Sequence, residues 1–232
     1  MIGRMGGERM QADFASICDG LRLLRDSAMP LKVFGSEAHG FRTYPTLSEE
    51  QVREFESRHR VTLPQEYRGF LIHVGNGGAG PSYGLFKLGE MDDGFEEKSW
   101  AEDDGFVGVL SKPFPHTQLW NDLSEEPVYE AREDDPEWDD EYQRQLDAWE
   151  DRVYWNTANV NGAIPICHRG CALRQWLIVT GPEAGNVWDD DRADRGGLKP
   201  LQQDGRQRVT FLEWYRSWLD GILQHLREAG RA

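Results

Sequence analysis

Residues 47–81 leave the chain little local choice. Ser48 offers an oxygen to cap the first turn of a helix, and Gln51 can return a bond to the Ser48 amide. Leu47 and Val52 stand at the two positions of a hydrophobic staple, and Val52 and Phe55 mark the buried side of the helix so begun. Leu63-Pro64 opens a second helix, with proline where a missing N–H costs nothing, and Tyr67, Phe70, Leu71 and Val74 follow at helical spacing. Gly75-Asn76-Gly77-Gly78 then ends that helix, since glycine and asparagine accept the left-handed conformation of a C-terminal cap. A phosphate cradle is the other use of such a run. It needs a Gly-Lys-Ser or Gly-Lys-Thr opening a helix, whereas this run closes one and its dipole opposes an anion.

The rest of the chain supplies further elements. Phe14, Ile17, Leu21, Leu24 and Ala28 predict a helix capped by Asp13 and ended by Pro30, behind a patternless and frayed stretch at 1–12. Strands are predicted at 83–88 and 106–110, and mostly loop over 111–135, where Pro113, Pro115 and Pro127 break any period. Residues 163–167, 173–180 and 186–188 alternate or run apolar with β-branched residues and predict successive strands, with turns at Gly170 and 181–185. A last helix is marked by a capping box of Thr210 and Glu213 and a staple of Val209 and Trp214. Its wide apolar face is Phe211, Trp214, Trp218, Ile222 and Leu226.

At 232 residues, with 9 Trp, 10 Phe and 7 Tyr, the chain can bury a core without disulfides, and one domain over 13–229 is expected. No signal-peptide apolar segment follows Met1, and no apolar run approaches the ~20 residues that span a bilayer. Three cysteines cannot pair completely. A cytoplasmic location is the expectation from these features.

The net charge of −15 is concentrated. Residues 122–152 hold 14 acids against 3 arginines, and residues 90–104 hold 8 acids against Lys98. Together the two segments exceed the total, so the remainder is slightly basic. A field of this kind steers a basic partner and repels nucleic acid and anionic membrane. Such a run is either a solvated face or a recognition face. Here Trp138, Tyr142, Leu146 and Trp149 follow i, i+4, i+8 and i+11, which predicts a helix from near Pro136 whose apolar stripe docks on the domain. The predicted partner-binding residues are Glu133, Asp134, Asp135, Glu137, Trp138, Asp139, Asp140 and Glu141.

Two blocks, 47–81 and 162–201, together resemble the SMI1/KNR4 (SUKH) family, whose bacterial members serve mainly as immunity proteins against polymorphic toxins. The carriers are the signature helices and their glycine turn, and the Gly170-Cys171 turn before Trp176-Leu177-Ile178-Val179. The resemblance covers roughly 46–220. It implies an α+β domain with a mixed, largely antiparallel sheet flanked by helices, and binding of a cognate toxin domain, as monomer or dimer. The other reading it allows is a regulatory scaffold, as fungal relatives are thought to be. The acidic insertion at about 122–152 departs from the minimal domain.

Chemistry finds little support. Cys167, His168 and Cys171 lack the fourth ligand of a zinc site, and Cys18 lies in a distant segment, so core or turn thiols are expected. Asp189, Asp190 and Asp191 supply oxygens that hard cations take, yet their place after a strand fits a turn cap. His39, His59, His73, His116, His168 and His225 stand in unrelated contexts, with no G-x-S-x-G or H-E-x-x-H around them. No enzymatic activity, metal or cofactor is expected.

Overall fold

The computed structural model describes residues 2–27, 32–92, 97–100, 106–130 and 136–229. Its α-helices are α1 (Ile2–Arg25), α2 (Glu49–His59), α3 (Gln65–His73), α4 (Pro136–Trp149) and α5 (Phe211–Ala229), and its strands are β1 (Glu90–Asp92), β2 (Glu97–Ser99), β3 (Ala163–Gly170), β4 (Leu173–Ile178), β5 (Val187–Asp190) and β6 (Leu198–Pro200).

Both predicted capping boxes form. The Gln51 amide donates to Ser48 Oγ at 3.1 Å and the Ser48 amide to Gln51 Oε1 at 2.8 Å. Thr210 and Glu213 make the same exchange before α5. After α3 the chain turns through Gly77 and Gly78, at φ of 87° and 92°. A Cβ on Gly78 would stand 2.5 Å from the Arg42 carbonyl oxygen, so this glycine is required by backbone approach as well as by φ.

Strands β3-β4-β5-β6 make one sheet in that order, and every strand pairing among the described residues is antiparallel. Side chains alternate between two buried layers. Ile164, Leu177, Val179 and Val187 join α1, α2, α3 and α5 in the main core. Ala163, Trp176, Ile178, Trp188 and Leu198 face the other way and pack with Phe114 and Val160. Irregular segments cover both sheet edges. Trp120 exchanges two 2.8 Å backbone bonds with Leu198 of β6. On the β3 side single bridges carry the pattern outward from Cys167 through Leu85 and Gly78 to Thr43.

Several expectations are corrected. Helix α1 begins at Ile2, so residues 2–12 are helical, and Asp13 is an interior residue whose carboxylate pairs with Arg216 of α5. A helix anchored by Phe14, Ile17, Leu21 and Leu24 extends at little cost per residue, even through an unpatterned stretch. Ala28 and Pro30 lie outside the described residues. The strand expected at 83–88 reduces to the bridged Leu85, because Ser82, Gly84 and Gly89 have positive φ. No strand forms at 106–110, where Gly108 packs its backbone against Thr157 and Asn161. The hairpin of β1 and β2, and strand β6, are additions to the expected elements.

Candidate functional site

The acidic insertion forms an arm with a buried root. Helix α4 runs into a π-helical turn, Glu150–Tyr154. The turn swings Trp149 and Tyr154 into the protein, where they are 2% and 0% exposed and stack with centroids 5.3 Å apart. Two arginines from the loop after β5 hold this root. Arg192, itself buried, donates to both oxygens of Asp190, at 2.9 and 2.7 Å, and to the Tyr154 carbonyl at 3.2 Å, and its guanidinium lies 4.6 Å over the Trp155 ring. Asp190 also accepts from Trp176 Nε1 at 2.9 Å, so one carboxylate joins the central strand to the arm. Arg195 bridges Glu126 at 3.0 Å and Glu150 at 2.7 Å, and lies 5.1 Å from both the Trp149 and Tyr154 rings. Guanidinium planarity permits this combination of forked bonds and stacking; an ammonium does not provide it.

Beyond the root the arm stands more open. Tyr142 and Leu146 are half-buried, and Tyr142 meets Tyr129 of the preceding segment edge-on at 5.0 Å. Tyr129 Oη donates to Asp139 at 2.9 Å. The stripe expected to dock along its length is therefore buried at Trp149 and covered only in part at Tyr142 and Leu146. Because opening free energy follows local packing, amides near Trp149 should exchange slowly and those near Asp140 much faster, with no break in helicity. Hydrogen exchange resolved by residue checks this, and uniform protection from 139 to 154 would contradict it.

Of the predicted partner-binding residues, Asp139 and Asp140 are exposed on α4. Glu141 is half-exposed; bonds from Gln145 at 2.8 Å and Arg144 at 2.7 Å hold its carboxyl below the usual range. Glu137 and Trp138 lie on the first turn of α4, with side chains outside the described ones, and Glu133, Asp134 and Asp135 lie outside the described residues. Sequence reading sets Tyr129, 50% exposed, among the aromatics interleaved with the acids, but it identifies neither Val128, 78% exposed beside it, nor the anchoring arginines.

The chemical alternatives resolve into structural roles. Asp189 and Asp190 end β5, and Asp190 Oδ1 caps the turn that follows by accepting from the Arg192 amide at 3.1 Å. Gln175 donates to Asp189 at 2.9 Å, Arg192 and Trp176 occupy Asp190, and Asp191 pairs with Arg169 at 2.8 Å and Lys199 at 2.6 Å. Burial raises the Asp189 carboxyl above its ordinary range. Among the described residues no three His, Cys, Asp or Glu side chains converge as metal ligands. Cys167 is buried, donates to the Pro81 carbonyl at 3.1 Å, and is pushed up to about 12 by burial, whereas Cys171 is exposed on the hairpin turn. A thiolate is the reactive form, so a maleimide at pH 8 should label Cys171 in the native protein and Cys167 only after unfolding. Rapid native labelling of Cys167 would show that the β3 edge is open.

A second concave surface lies at that edge. It encloses about 260 Å³ over Gly78 and Gly84, between Arg42, Tyr44, Tyr83, Lys87 and His168. Tyr83 packs on His168 at 5.5 Å and Lys87 lies 4.5 Å over Tyr44 while pairing with Glu90 at 3.1 Å.

A family model, SMI1 / KNR4 family (SUKH-1), matches residues 46–194, well over half of the chain. The match takes in both signature helices, the acidic arm and β3 to β5, and ends before β6 and α5, short of the expected 220. No curated protein and no solved structure matches the chain.

Proposed function

The chain belongs to the SMI1/KNR4 (SUKH-1) family, whose members are commonly immunity proteins, and from that premise we propose that it neutralises a cognate toxin domain by stoichiometric binding through the acidic arm. The observation that carries the reading is the placement of charge. Residues 122–152 carry most of the net charge, and within them Asp139 and Asp140 stand exposed on an ordered helix whose root is anchored through Trp149 and Tyr154. Anchoring matters because a partner then meets a formed surface and loses less ordering entropy on binding. A basic partner gains association rate from such a field.

A nuclease is the toxin class that fits best, since a surface that holds phosphates must be cationic, and an acidic arm can occupy it in place of nucleic acid. The residues proposed for contact are Glu133, Asp134, Asp135, Glu137, Trp138, Asp139, Asp140 and Glu141. The mode is binding rather than catalysis: the polar clusters described above are occupied by one another. No helix among the described residues is long and apolar enough to cross a membrane, in keeping with action on a toxin in an aqueous compartment.

The test is affinity capture with this protein as bait in its native lysate, followed by coexpression with the captured toxin domain. Protection of the host together with an equimolar complex is expected. A toxin that kills undiminished and passes through the column apart from this protein would refute the reading, leaving a scaffold role to be tested at the groove over Gly78.

A further inference from the structure

We propose that Val128 and Tyr129 are the apolar anchors of the partner interface, seated at the centre of the acidic arm and filling a hydrophobic recess on a cationic protein. The inference rests on the reading of the arm as the partner-binding element.

Three observations carry it. First, Val128 is 78% and Tyr129 50% exposed and the two are adjacent in sequence, while most large apolar side chains among the described residues are buried. Second, the Tyr129 ring is already held. Its edge-on contact with Tyr142 and its hydroxyl bond to Asp139 hold it in one place, so little freedom remains to be lost when a partner covers it. The segment that bears it is also tied at two of its glutamates, Glu125 to Arg152 at 2.7 Å and Glu126 to Arg195 at 3.0 Å. Third, the surroundings select the occupant. Glu130 follows the pair in the chain, Asp139 accepts from Tyr129 Oη at 2.9 Å with Asp140 next to it on α4, and the segment 122–152 carries a net −11 from 14 acids and 3 arginines. A second copy of this chain would set one such arm against another, which repulsion disfavours at moderate salt. A basic protein meets the same rim with opposite charge. An apolar centre inside a charged rim is the anatomy in which a few residues carry most of the affinity.

The division of labour is specific. Acids on the rim should govern how fast the complex forms, and Val128 and Tyr129 how long it lasts. Val128 is the cleaner probe because its side chain supports little of the arm itself. With an inactivated form of the toxin domain captured by this protein as the probe, Val128→Ser is expected to speed dissociation about tenfold, and Tyr129→Ser at least as much, with association changed less than about twofold. If Asn replacements of the rim acids slow association while Val128→Ser and Tyr129→Ser dissociate like the parent, the anchors are wrong and the arm reading stands. Absence of binding by any form overturns both. Sedimentation of the protein alone gives the remaining outcome: a dimer that Val128→Ser dissociates would assign the patch to a second copy and overturn the proposal.

Discussion

Replacing Arg192 by alanine is expected to cost the fold about 3–5 kcal/mol, the usual penalty for removing one partner of a buried ion pair. Arg192 and Asp190 are each 2% exposed at their side chains, so Asp190 would be left charged with only the Trp176 N–H and the backbone amide of residue 192 to satisfy it. The loss is not local. The same guanidinium reaches the Tyr154 carbonyl and the Trp155 ring, so β5 and the root of the arm lose their common tie. For a chain of this size a loss of that order lowers the melting temperature by roughly 6–20 °C. Arg192→Lys should recover only part of it, because an ammonium cannot bond both carboxylate oxygens in plane and reach the carbonyl as well. Thermal melts of the two variants decide the matter. An Arg192→Ala protein that melts with the parent would mean that the pair is not in the interior and that the arm is rooted by other contacts.

That tie also shows where sequence reading stops. Helices α2, α3 and α5 are legible because their signals are local: a capping residue, its partner three positions on, and apolar residues at helical spacing. Strands β3, β4 and β5 are legible because both of their faces are buried and their residues run apolar. Helix α4 is visible through Trp138, Tyr142, Leu146 and Trp149, but the depth of its docking is not. The same stripe would suit a helix packed along its length, and among its described side chains Trp149 alone is deeply buried because the π-turn redirects the chain there. The pairing of β1 with β2 was hidden by the Glu, Asp and Lys residues that make up most of the two strands, residues with low strand preference. Arg192 and Arg195 reach partners 38 and 45 residues away in the chain, and no spacing rule connects such positions. Tyr129 is visible as an aromatic among the acids, but Val128 looks like an ordinary loop residue until its exposure is known.

The second large effect expected concerns the rate at which the protein finds its target. Replacing Asp134, Asp135, Asp139 and Asp140 together by Asn removes four negative charges from the arm and keeps side-chain volume nearly constant. Asp139 and Asp140 are exposed, so the change should leave the core as it is. Steering by a concentrated field raises association rates by about 10- to 1,000-fold at low salt, and screening diminishes the gain as ionic strength rises. A substantial part of that range should disappear in the fourfold variant, with dissociation less affected. Stopped-flow mixing with the inactivated toxin domain, at low and at physiological salt, measures this directly. The account predicts an association rate at low salt at least about tenfold below the parent's, converging with it as salt rises. Equal rates for the two proteins at low salt would contradict it, and would return the acidic arm to the role of a solvated face.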